Sequence, residues 1–219
     1  VGNIDIDQVI KRFESRLGDW SGSREEPEVL AAAAAGTHHE SRESNQSHIA
    51  IAWSAPKASH EDAQLERVAT RVLSGSSSGR LFTEVRQKRS LCYSVGASYR
   101  AGRDHGSINL YAGTTPERAQ ETLDVCLAEC ARMADGVTES ELQRALLGLE
   151  SDVVLGGEST SARSASMAMD WFALGRTRTL PEIIEELRGI TLGQINDYLG
   201  RRASGAPTIV TMGPAPLDC

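Results

Sequence analysis

The sequence predicts an α+β fold, a mainly antiparallel sheet with helices packed on it. Two observations carry that expectation. Segments of period-two alternation fall into hairpin-like pairs, and helices with their own start signals cluster in the second half. A third is size: 219 residues suit a single domain, residues 1–219, that buries a substantial core without disulfides.

In chain order, residues 5–20 place Val9, Ile10, Phe13, Leu17 and Trp20 at helical spacing, an amphipathic helix with one face to bury. Residues 21–47 are polar around an alanine run ending at Gly36, and read as an edge strand or a loop over the sheet. Residues 47–54 alternate as a half-buried strand. A helix over residues 59–73 opens on Ser59 and Asp62 in a capping-box-like pattern, with Leu65, Val68, Ala69 and Val72 as its stripe. The small polar loop 74–79 leads to a short helix carrying Leu81, Phe82 and Val85. Tyr93, Val95, Ala97 and Tyr99 share one parity, so residues 92–101 form a strand, and the turn 102–106 returns it into an antiparallel partner, 107–113. Thr115-Pro116 starts a helix to about Met133, and Thr138 with Glu141 caps another to about Leu155. A helix over 161–174 stops at Gly175, and shorter ones begin near Pro181 and at Thr191, the latter boxed by Gln194. Residues 208–212 supply a last strand. The opening Val1-Gly2 reads as the end of a strand already under way, so the chain is expected to be a piece of a longer polypeptide.

Composition narrows the function. Lys and Arg number 23 against 30 Asp and Glu, a net charge of −7, which argues against general nucleic-acid binding and against docking on an anionic membrane surface. No apolar run approaches the roughly 18 residues of a spanning helix. The four cysteines form no CxxC pair, and Cys126 and Cys130, one helical turn apart, read as core packing of reduced thiols. Reduced cysteines lean towards the cytoplasm, with export left open.

No familiar catalytic constellation stands out. Neither HExxH nor HxxEH occurs among the five histidines, so the chain has no recognisable zinc site of its own, and His38 and His39 read as solvated loop residues. There is no GxSxG, and the loop before Arg80 lacks the Lys-Ser/Thr ending of a phosphate-binding loop. Met167, Met169, Trp171 and Phe172 read as a core cluster, and Glu182, Glu185 and Glu186 as a solvated acidic face.

One stretch is specific. From Ser78 through Gly79-Arg80-Leu81-Phe82-Thr83-Glu84-Val85-Arg86 to Leu91-Cys92-Tyr93-Ser94-Val95 the chain resembles the signature S-x-R-L-F-x-x-[VI]-R-x-x-x-[GS]-L-x-Y-S-V of the insulinase/pitrilysin family of zinc peptidases. The resemblance extends to residues 48–56, similar to a family strand with its Ala-Pro turn, and to the E-S-T-S-x-R helix with a Gly-Arg exit at 158–176. It covers most of residues 1–214, with a poor match at 21–46.

The resemblance implies a clamshell of homologous α+β domains in which a partner domain, on the same chain or another, holds zinc through HxxEH. The domain resembled here is the zinc-free, C-terminal kind. It implies substrate-binding roles for Arg86 and Tyr93, seven residues apart, as hydrogen-bond partners of the peptide backbone near the scissile bond. A guanidinium offers a rigid fan of donors to carbonyls, and a phenol donates to a developing oxyanion. Helix periodicity alone does not choose Arg86 over Arg89. Ser90 departs from the glycine of many relatives, which bears on the turn before the strand.

The expected function is therefore the substrate-binding half of a zinc-dependent metalloendopeptidase, inactive alone, whose peptide is expected to add as a strand to a sheet edge. The alternatives are an inert scaffold or binding subunit of the same family, and an unrelated interaction domain.

Overall fold

The computed structural model describes residues 1–23, 35–202 and 205–218. Helix α1 (Ile6–Leu17) comes first, capped by Asp5, whose carboxylate accepts from the Gln8 N–H at 3.1 Å. Then follow strands β1 (Thr37–Ser41) and β2 (Ser47–Ala55), helix α2 (Ala63–Ser74), a one-turn π-helix (Phe82–Gln87), and the hairpin β3 (Cys92–Ala101) and β4 (Gly106–Thr114). Helices α3 (Ala119–Ala131), α4 (Glu139–Glu158), α5 (Thr160–Leu174), α6 (Leu180–Arg188) and α7 (Leu192–Arg201) precede β5 (Thr208–Gly213).

The five strands form one sheet in the order β1-β5-β2-β4-β3. All pairings are antiparallel except β1 with β5, so the sheet is mixed at one edge. This is the expected α+β fold, with β1 as the edge strand the polar stretch allowed. The alanine run at 31–34 lies outside the described residues.

Alternation along the strands divides the sheet into two faces. Ile49 and Ile51 of β2, Leu110 and Ala112 of β4 and Ile209 of β5 point to the helices, where Val68 and Val72 of α2 and Leu123 and Cys126 of α3 meet them in the core. On the other face Ala50, Tyr111 and Val210 are exposed. One face of the sheet thus holds the fold together and the other is left bare.

Several boundaries follow the caps. The Thr138/Glu141 and Thr191/Gln194 boxes both form, and a third, Thr179 with Glu182, opens α6. Gly175 ends α5 at φ +70°, where a side chain would be strained. Helix α2 starts four residues later than the sequence suggests. Asp62 does not cap it, because its carboxylate is taken by the Arg201 guanidinium from α7, at 2.9 Å through Nη1.

Five expectations are corrected. Val1-Gly2 belongs to no strand, and none of the residues of α1 is buried; its apolar stripe faces outwards up to Trp20, 81% exposed. His38 and His39 lie on β1 rather than in a loop, and His39 is half-buried, its Nδ1 2.9 Å from Thr211 Oγ1. Met169, Trp171 and Phe172 are exposed, because α5 turns Asp170 inward instead, where Arg178 holds it at 2.8 Å. The acidic face of α6 is partly spoken for: Glu186 is half-buried against Arg178 at 2.9 Å.

A buried ionic knot ties α2 to the segment after α7. Glu66 is wholly inaccessible, accepts from Thr70 Oγ1 at 3.0 Å and from the Tyr198 hydroxyl, and pairs with Arg202 Nε at 2.8 Å. Burial raises its pKa above the usual carboxylate value, opposed first by the Arg202 charge.

Candidate functional site

The signature segment folds into a compact turn against the sheet. Its first residues are anchored: Arg80 forks onto Glu141 of α4 at 2.7 and 3.0 Å and reaches the carbonyl oxygens of Arg132 and Gly136. Leu81 and Val85 are fully buried. The π turn then closes through Lys88 N–H to Thr83 O, Ser90 N–H to Arg86 O and Leu91 N–H to Val85 O, each at 3.0 Å. Closure requires Ser90 at φ +53°, among the described residues the one non-glycine in the left-handed region. Glycine occupies this conformation without a Cβ penalty, so the serine at this position carries one. The Ser90 carbonyl accepts from the Arg118 guanidinium.

The turn sorts its cations. Lys88 and Arg89 both sit on Glu84, at 2.7 and 2.9 Å, and Arg80 on Glu141. Arg86 is exposed, stacks over the Phe82 ring at 5.1 Å, and has no carboxylate partner among the described residues. Its guanidinium is thus not engaged by a carboxylate of the described residues while that of Arg89 is, which is the distinction that periodicity could not draw. Its charge also opposes the burial that pushes the Cys92 thiol up, so the guanidinium is felt at the foot of β3.

Tyr93 reaches the open face through a β-bulge. Cys92 pairs with Thr114 and Ser94 with Gly113, leaving Tyr93 as the extra residue. Beyond the bulge Val95 and Ala97 pack on the core, so Tyr93 does not share their face as strict alternation predicts. Its ring is 46% exposed and lies over Gly113, where a Cβ would stand 2.7 Å from the phenol oxygen. The hydroxyl donates to Gln46 Oε1 at 3.2 Å. Burial and then the neighbouring Tyr111 phenol raise the Tyr93 pKa, so at neutral pH the group is a protonated donor.

Around Tyr93 lie three residues the sequence did not single out. Tyr111 is two positions from Gly113 on the open face of β4, and its hydroxyl is 2.7 Å from His48 Nδ1 on β2. His48 pairs across the sheet with Gly113, and Gln46 immediately precedes β2. The available signal was Gly113, a glycine inside a strand, which often marks close approach of another group.

Among the described residues no group of three or more His, Cys, Asp or Glu could hold a metal ion. Cys126 and Cys130 are core residues, and burial pushes the Cys130 thiol up to about 12, far from a metal-binding or redox thiolate; Cys219 lies outside the described residues. No helix of the described residues is long and apolar enough to cross a membrane.

The structure thus defines an α+β domain with an exposed arginine and an exposed phenol close to one another in the signature segment, and with no group of three or more metal-ligating side chains among its described residues. The family is shown by comparison with known proteins. A family model described as the peptidase M16 inactive domain matches residues 1–149, and the chain belongs to that family, as the insulinase/pitrilysin resemblance implied. It is 31% identical over 203 residues to the uncharacterized zinc protease YmxG of Bacillus subtilis, covering 89% of this chain and 48% of that protein. It is 28% identical to the uncharacterized zinc protease SCO5738 of Streptomyces coelicolor, covering 97% and 49%. The chain therefore spans about half the length of these curated relatives. Among solved structures, a peptidase M16 inactive domain from Pseudomonas fluorescens superposes with a TM-score of 0.83 at 18% identity, over 100% of this chain and 53% of that one. A protease from Helicobacter pylori gives 0.80 at 16%, over 99% and 54%. At these identities the two structures speak for the fold.

Proposed function

We propose that this chain is the substrate-binding half of a zinc-dependent metalloendopeptidase, whose zinc is held by a homologous domain of the same chain or of a partner subunit. The substrate is an extended peptide or unfolded polypeptide lying along the bare sheet face. Arg86 fixes the peptide through its carbonyl oxygens, using the fork of donors that no carboxylate of the described residues occupies. Tyr93 donates its phenolic proton to the oxygen that becomes negative as the scissile carbonyl turns tetrahedral. Neither residue performs hydrolysis alone, and this chain in isolation cleaves nothing.

The observation that carries the reading is the contrast within the turn. Arg80, Lys88 and Arg89 are committed to carboxylates, while Arg86 is not, and a bulge turns Tyr93 out to the open face instead of into the core.

The test is cleavage of a short unstructured peptide by the full-length gene product, with and without a zinc chelator. Chelator-sensitive cleavage that falls about a hundredfold or more in Tyr93→Phe and Arg86→Ala, but not in Arg89→Ala, supports the assignment. Absence of cleavage by the wild type favours an inert scaffold. Equal rates in all variants return Arg86 and Tyr93 to ordinary structure.

A further inference from the structure

The bare sheet face carries a polar row that neither the signature nor the fold requires. It runs from His48 Nδ1 to the Tyr111 hydroxyl at 2.7 Å, on to the adjacent Tyr93 phenol, and ends at Gln46 Oε1, 3.2 Å from Tyr93. The row is built across three strands. His48 stands on β2, Tyr111 on β4, and Tyr93 at the bulge of β3. Gly113 is its floor: His48 pairs with it from one side and Ser94 from the other, and the Tyr93 phenol lies where a Cβ would be.

We propose that Tyr111 and His48 are positioning residues for Tyr93, and that Gly113 is the vacancy in the sheet that lets the phenol settle against them. The proposal rests on the role given to Tyr93 above. Tyr93 has one proton and donates it outwards, now to Gln46 and in the complex to the substrate oxygen. His48 and Tyr111 flank the phenol: His48 stands opposite Gly113 on β2, Tyr111 is two positions from Gly113 on the same face of β4, and the hydrogen bond between His48 Nδ1 and the Tyr111 hydroxyl holds the two rings beside it. The Tyr111 phenol also favours the protonated form of Tyr93, the form that donates. Without the two residues the phenol keeps its place over Gly113 but loses the neighbours that hold its ring in line. Gln46, an exposed side chain on a long hydrogen bond, holds the position the substrate oxygen takes and is readily displaced.

The groups concerned lie on the open face, with Tyr111 43% exposed, so their substitution leaves the core untouched. The experiment is steady-state cleavage of a fluorogenic unstructured peptide by the full-length product. Tyr111→Phe and His48→Ala are expected to lower kcat about tenfold with KM within about twofold, the loss of one positioning hydrogen bond. His48→Asn, whose amide can hydrogen-bond the Tyr111 hydroxyl from near the Nδ1 position, is expected to recover most of the loss. Gly113→Ala is expected to fall as far as Tyr93→Phe, because its Cβ displaces the phenol while meeting only the ends of the Tyr93 and Ser94 side chains. If Tyr93→Phe collapses kcat while Tyr111→Phe and His48→Ala match the wild type, the positioning row is wrong and the role of Tyr93 stands. Equal losses in His48→Ala and His48→Asn refute the hydrogen-bonding role of His48. If Tyr93→Phe itself matches the wild type, both readings fall.

Discussion

Arg80, the arginine of the R-L-F part of the signature, is a structural residue by this geometry, and its removal provides a quantitative test. Its guanidinium binds both oxygens of Glu141 at 2.7 and 3.0 Å, with the two side chains only 12% and 17% exposed. That hydrogen bonding, helped by the Thr138 backbone N–H of the capping box and opposed by burial, lowers the Glu141 pKa from 4.5 to about 2. At 1.36 kcal/mol per unit the shift corresponds to roughly 3 kcal/mol of stability. The cap supplies part of it, so Arg80→Met is expected to cost about 2–3 kcal/mol at pH 7, between the ranges for exposed and fully buried pairs. Because the folded pKa is depressed, the stabilisation is complete above pH 4.5 and drains away as the pH falls from 4.5 towards 2. Urea unfolding of wild type, Arg80→Met, Glu141→Gln and the double variant, followed through the fluorescence of Trp53 packed against the core, gives the coupling energy directly. A coupling of about 2 kcal/mol at pH 7 that shrinks at pH 3 is expected. A coupling below about 0.5 kcal/mol, or no change with pH, refutes the reasoning.

Two other perturbations have clear signs. Ser90→Gly relieves a left-handed φ of +53° and is expected to stabilise the domain by up to about 1 kcal/mol in urea unfolding; Ser90→Val should destabilise it. Arg202→Met strips the inaccessible Glu66 of its cation and is expected to cost about 3–5 kcal/mol at neutral pH. Since the Glu66 pKa is already raised and would rise further, that cost should fall as the pH drops through the two raised folded-state values and be gone by pH 4.5, which paired urea titrations at pH 7 and pH 4 would show.

Much of the fold was legible because its signals are local. The Thr138/Glu141 and Thr191/Gln194 boxes, the Gly175 stop and the β3–β4 hairpin are each written within a few residues and form as read. The helix at 59–73 was set too early because the partner that claims Asp62, Arg201, lies 139 residues away. The inward face of α5 was misjudged for a similar reason: a buried Asp170–Arg178 pair overrides the apolar preference of Met169, Trp171 and Phe172. At the site, Arg86 and Tyr93 were found through the signature, but period-two counting put Tyr93 on one face with Val95 and Ala97, since one bulged residue inverts every face before it. Tyr111 and His48 left no mark in the sequence, because their association depends on strand register alone.

The central claim is that Tyr93 acts on the tetrahedral oxygen rather than on the bound peptide as a whole. The most direct measurement is the affinity of the full-length product for a peptide carrying a tetrahedral phosphinate in place of the scissile amide, compared with KM for the parent peptide. For Tyr93→Phe the phosphinate is expected to bind about a hundredfold more weakly while KM changes little, because an oxyanion donor matters where charge develops. Equal weakening of both, or no weakening of either, would contradict the assignment.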